Sequence, residues 1–184
     1  MIPANQMPET QSPLPDAEMS RILKARAAEY ARLPTTRGSS SPTLEVIRFT
    51  LGREQYAMEL HHIQEVIPLP ELTPLPGTPK FILGIINVRG QIISVIDLKT
   101  FFDLPQQGLN NRNRVIILHS PEMEFGILAD EVKGVSRLGE DELQATLPTL
   151  TGVRQEYLKG VSNESVTVLD AMKLLTDPKM LINH

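Results

Sequence analysis

The sequence predicts a mainly β protein: two tandem small β-barrels with short helices, preceded by an N-terminal tail that contains one helix. Three observations predict it. The first 43 of the 184 residues hold 6 of the 15 prolines and few large apolar side chains. From Leu44 onward, short apolar runs alternate with turn residues. Several of those runs recur in the same order about 70 to 76 residues later.

Residues 1–43 bury too little apolar surface to offset chain entropy, so they read as a flexible tail. The stretch Gly38-Ser39-Ser40-Ser41-Pro42 supports this. Within the tail a helix is expected near residues 17–33. Asp16 caps it, Glu18 suits its first turn, and Pro34 stops it. Met19, Ile22, Leu23, Ala27, Tyr30 and Leu33 make a loose apolar stripe. Two readings stand: a partly formed solvent helix, or a helix that docks on a partner or on the body of the chain.

The body, residues 44–184, begins with a strand over Val46–Leu51, a turn at Gly52-Arg53-Glu54 and a second strand over Gln55–Glu59. Ile63–Pro68 then opens a run of five prolines ending at Pro79, which reads as a stiff loop. Phe81–Val88 and Gln91–Ile96 read as strands joined at Arg89-Gly90. Asp97 caps a short helix over Leu98–Phe102.

The second half repeats this grammar. Tyr56-Ala57-Met58 corresponds to Phe125-Gly126-Ile127, and Glu65-Val66 to Gly134-Val135. Gly84-Ile85-Ile86-Asn87 corresponds to Gly160-Val161-Ser162-Asn163. Val95-Ile96-Asp97 corresponds to Val168-Leu169-Asp170, which leads into Ala171–Leu175. The matches are short, so chance likeness between strand-rich segments competes with tandem duplication of a β unit. Closing each unit into a barrel removes the exposed sheet edges, and two barrels create a seam where a partner fits.

A net charge of −4 disfavours nucleic acid and anionic lipid as partners. The longest apolar run is far shorter than a membrane helix, so membrane insertion is not expected. MIPANQMPETQSPLP has neither a basic start nor an apolar core, so a secretory signal is not expected. Without Cys there are no disulfides and no thiolate chemistry, which fits a reducing compartment. Catalytic motifs are missing too: no P-loop, GxGxxG, GxSxG or HExxH is present. His61 and His62 are adjacent, and neighbouring side chains face apart on a strand and diverge by about 100° on a helix. No metal, cofactor or catalytic residue is therefore expected. Asp97 and Asp170 resemble paired acids, but each precedes an apolar helical turn, which favours capping. Glu140-Asp141-Glu142 reads as the solvated start of a short helix.

What remains is interaction. Asn87-Val88-Arg89-Gly90 forms a turn between apolar strands, and the planar guanidinium of Arg89 suits a carboxylate or carbonyl partner. An ordinary solvated turn residue is the alternative. The stretch GIINVRGQIISVIDLK, Gly84 to Lys99, resembles the signature of the CheW chemotaxis coupling family. Phe49-Thr50-Leu51-Gly52 through Tyr56-Ala57-Met58, Ile63-Gln64-Glu65-Val66, Tyr157-Leu158-Lys159-Gly160 and Leu169-Asp170 through Leu174-Leu175 resemble other family segments. The likeness runs from Leu44 to about Leu175.

The resemblance implies two small SH3-like five-stranded β-barrels and a non-catalytic signalling scaffold. Such a scaffold couples the cytoplasmic tip of a chemoreceptor to the regulatory domain of the histidine kinase CheA, with ring assembly alongside the kinase. It places the chain in the cytoplasm, at membrane-associated receptor arrays, without a cofactor. Arg89 matches the family arginine implicated in receptor coupling, and Asn87 and Gly84 lie in the same segment. Ile63 and Glu65 match positions lining the receptor groove, and Val66, Ile86 and Val88 are further candidates for it. Arg89 either orients the partner or supports its own turn. For the kinase contact, Leu147 and Leu150 in the loop ATLPTLTG are candidates, with packing onto the second barrel as the alternative. This loop departs from the family pattern. The competing function is an SH3-like peptide-binding adaptor in another two-component pathway. Such grooves stack aromatics on polyproline, and this chain has no Trp and three Tyr.

Overall fold

Gly52 opens the fold, because its φ of +63° lets a two-residue loop join Leu51 directly to Glu54 in register. The strands it links are β1 (Thr43–Leu51) and β2 (Glu54–Glu59). In chain order there follow β3 (Ile63–Pro68), β4 (Ile82–Val88), β5 (Gln91–Ile96) and helix α1 (Leu98–Phe101). Then come β6 (Arg114–His119), β7 (Glu124–Ala129), β8 (Glu131–Gly139), helix α2 (Val153–Glu156), β9 (Leu158–Val161), β10 (Thr167–Leu169) and helix α3 (Ala171–Thr176). This computed structural model describes residues 42–106, 108–144 and 153–180, all within one unit spanning Ser41–His184. The tail with its expected helix, and Leu147 and Leu150, lie outside the described residues.

The strands form two five-stranded sheets, ordered β8-β1-β2-β10-β9 and β3-β6-β7-β5-β4. Replacing each of β1–β5 by the strand five places later, and conversely, converts one order into the other. The equivalences read from sequence hold at the level of pairing. Ala57 lies opposite Val168 in a parallel pair, and Gly126 lies opposite Val95 in the other. Gly84 faces Val95 across an antiparallel pair as Gly160 faces Val168. The two halves are tandem in sequence, yet each sheet combines a hairpin from one half with three strands from the other.

Three apolar clusters explain why so many strands read as continuous hydrophobic runs. Ile67, Ile86, Val88, Ile93, Val95, Val115, Ile117 and Leu128 come from all five strands of the second sheet and fill its interior. Val46, Ala57, Leu138, Val166 and Val168 fill the first. Between the sheets lies a shared core with Ile47, Phe49, Tyr56, Met58, Ile116, Leu118, Phe125 and Ile127. Consecutive residues thus point to different cores: Val46 and Ile47, Ala57 and Met58, Val115 and Ile116. A strand buried on both faces loses the polar alternation of a half-exposed one.

Asp97 caps α1 as expected, its carboxylate accepting from Lys99 N at 2.9 Å and Thr100 Oγ1 at 2.9 Å. Asp170 caps α3, accepting from Lys173 N at 3.1 Å. Glu140–Glu142 forms a short 3-10 turn. The expectation differs at Ile63–Pro68, which is a strand rather than the mouth of a loop; only its last residue is proline. Strand β6 was not anticipated either. Its partners, β3 and β7, pair with it from both sides and account for it.

Candidate functional site

The hairpin β4–β5 turns in two residues, since Val88 pairs with Gln91. Arg89 has φ +54° and Gly90 φ +90°, the paired left-handed conformation that suits the twist of a hairpin. Glycine takes that conformation freely; arginine takes it at a cost. Asn87 offsets part of the cost, its Oδ1 accepting from Gly90 N at 2.8 Å. A costly backbone at an exposed arginine is the kind of feature that accompanies a functional residue.

From this turn the Arg89 guanidinium donates to Glu65 Oε2 on β3 at 2.8 Å. The arginine side chain is 82% exposed and the glutamate 20%. Strands β3 and β4 are the two ends of the second sheet, so the ion pair spans the seam where that sheet closes on itself. Ile63 and Val66, half-buried on β3, pack against the shared core.

The sequence-predicted site residues therefore divide. Arg89 and Glu65 meet at the β3/β4 seam with Asn87 bracing the turn, while Ile63 and Val66, on the same strand as Glu65, pack against the shared core. Val88 is half-buried at the rim of the second barrel interior. Ile86 is only 2% exposed and lies inside that barrel, so its expected place in an open groove is corrected to a core position. Gly84 is also buried, and a Cβ built there would lie 2.4 Å from the carbonyl oxygen of Thr73. Thr73 belongs to the proline-rich loop, which bridges to β4 through two backbone hydrogen bonds of 2.9 Å with Ile85. Gly84 is glycine so that this loop can cross it.

One neighbour escaped the sequence reading. Ile92, opposite Asn87 on β5 and close in sequence to the Arg89-Gly90 turn, is 59% exposed. Strand alternation signals it: Ile93 and Val95 point inward, so Ile92 points out.

The CheW-like domain family matches residues 45–179. The chain belongs to this family. A CheW chemotaxis protein from Treponema pallidum is 27% identical over 143 residues, covering 74% of this chain and 84% of the relative. One from Klebsiella aerogenes is 31% identical over 143 residues, covering 75% and 85%. The solved scaffolding protein TtCheW from Thermoanaerobacter tengcongensis superposes with a TM-score of 0.63 at 29% identity, covering 70% of this chain and 89% of that one. The two-sheet architecture and the matched segment thus agree on a CheW-like domain. No helix among its described residues is long and apolar enough to cross a membrane.

Proposed function

We propose that this CheW-like chain is a non-catalytic chemotaxis scaffold that couples the cytoplasmic tip of a chemoreceptor to the regulatory domain of the histidine kinase CheA. The carrying observation is Arg89, held at a costly backbone conformation and paired across the seam to Glu65. A receptor tip is a helical hairpin. Its apolar face docks on Ile63 and Val66, with Ile92 at the margin, and Arg89 sets its register through a polar contact. The kinase contact falls to the segment carrying Leu147 and Leu150, and rings form by alternation with the kinase. The working location is the cytoplasmic side of receptor arrays.

The test is a pull-down of the chain with a receptor cytoplasmic fragment and with the CheA regulatory domain, separately and together. Capture of both, and a ternary complex, is expected. Ile63→Asp should lose the receptor and keep the kinase. Capture of neither partner by the folded wild-type chain would refute the coupling role, leaving the peptide adaptor of another two-component pathway.

A further inference from the structure

Glu59, His61 and His62 stand out among the described residues as a group of metal-capable side chains whose ligand atoms all lie within 4.8 Å of one another. Adjacency argues against a shared role for two histidines on a strand or an α-helix. Here they occupy a 3-10 turn, Leu60–His62, and their rings approach to a centroid separation of 3.8 Å. Glu59 ends β2 just before the turn, and β3 begins just after it. The turn is the crossover from the first sheet to the second.

Two imidazoles and a carboxylate make a donor set of the kind that binds borderline divalent ions. Around such an ion, ligand atoms sit about 2.0–2.2 Å from the metal and about 3.4 Å from one another in tetrahedral geometry. His61 is exposed, so its ring is free to turn and close the remaining gap. The carboxylates of Glu59 and Asp170 and the ammonium of Lys159 all act on His62. Lys159 Nζ donates to Glu59 Oε1 at 2.8 Å, so it competes for one carboxylate oxygen and leaves the other.

We propose that Glu59, His61 and His62 bind one divalent transition-metal ion of the Zn2+ class at the crossover between the two barrels. Three protein ligands leave a fourth position for water or a partner's side chain. The ion ties the end of β2 to the start of β3, next to Ile63. Lys159 holds the carboxylate in place while the site is vacant and weakens the binding it guards.

The test is calorimetric titration of the untagged full chain with Zn2+, with Co2+ absorption as a second readout. One saturable site per chain is expected, with tetrahedral Co2+ bands. His61→Asn and His62→Asn should each weaken binding at least tenfold, and Glu59→Gln similarly. Lys159→Met should tighten it severalfold, which a casual surface histidine pair would not show. His119→Asn should leave the affinity unchanged. Absence of saturable Zn2+ binding, or binding that survives the double substitution of His61 and His62, would overturn the proposal. Where a ligand variant fails to fold by thermal melt, the Lys159→Met arm decides: an unchanged affinity there overturns it as well.

Discussion

Arg89, in the turn that follows edge strand β4, and Glu65, on the opposite edge strand β3 of the same five-stranded sheet, form an ion pair of 2.8 Å. Such a contact is possible only because the sheet curls until β3 and the β4–β5 turn meet. An ion pair this exposed contributes little to stability, typically under about 1 kcal/mol. Its value lies in where it holds the guanidinium. Glu65 takes one edge of the fork, and the rest faces solvent.

Arg89→Gly is the sharpest probe of that role. Glycine relieves the left-handed backbone at position 89, so denaturant stability should hold or rise, by up to about 1 kcal/mol. Receptor capture should nevertheless fall severalfold, because the guanidinium is gone. Glu65→Gln should produce a smaller loss, since Arg89 remains but is no longer held. Equal receptor capture by wild type and Arg89→Gly would show that the arginine serves only its turn.

Gly84→Ala should be among the most damaging single-methyl substitutions in the chain. Its φ is +146°, and the added Cβ would fall 2.4 Å from the Thr73 carbonyl oxygen. The expected cost is about 2–4 kcal/mol, from strain and from displacement of the proline-rich loop. Gly160 is the equivalent position in the other sheet, where the nearest contact is 3.0 Å, to the Gln144 carbonyl oxygen. Gly160→Ala should therefore cost distinctly less. Urea denaturation of both variants checks the order, and equal losses would show that backbone approach is not what selects glycine at position 84.

The contrast between these two glycines shows what the sequence holds and what it withholds. The repeat Gly84/Gly160 is legible as a strand that runs into a turn, and the repeat Asp97/Asp170 as a helix cap, because each is a local signal. The exchange of strands between halves was not, since pairing partners are chosen by long-range packing that no window of residues encodes. Strand β6 escaped for a related reason: buried on both faces, Val115–Leu118 lacks alternation. At the site, the turn at Arg89-Gly90 was visible, but its link to Glu65 depends on sheet closure. Ile86 looked like its neighbours on paper, and the direction of one strand residue decided that it belongs to the core.

Lys99 and Asp130 form a buried pair at 2.5 Å, with side chains 1% and 9% exposed. Asp130 also accepts from Gly52 N at 2.6 Å and from Asn113 Nδ2 at 3.3 Å, so it ties the first hairpin, α1 and the 108–113 loop together. Lys99→Met would leave the carboxylate buried without its counter-ion, at a cost of about 3–5 kcal/mol. The double substitution Lys99→Met with Asp130→Leu removes both charges. It should recover part of that loss, though Gly52 N then lacks its acceptor. A thermal-melt double-mutant cycle measures the coupling; additive losses would mean the pair acts only through its separate hydrogen bonds.

Alkaline pH should unfold the protein through its tyrosines. Tyr56 and Tyr157 are at most 1% exposed, and burial pushes both phenols well above their ordinary value near 10. For Tyr157 the Asp177 carboxylate, which accepts its hydroxyl proton, adds to the rise. The folded state thus keeps both protons where the unfolded state releases them. Their contribution is fully present below about pH 10 and declines as pH rises above that value. In a Tyr30→Phe chain these two are the remaining tyrosines, so absorbance at about 295 nm should stay flat through pH 10 and rise only with loss of the far-ultraviolet β signal. Tyr157→Phe removes one of the two groups and should lessen the alkaline loss of stability. A smooth tyrosinate titration near pH 10 in the folded chain would mean that the phenols reach water without unfolding, contrary to their position in the shared core.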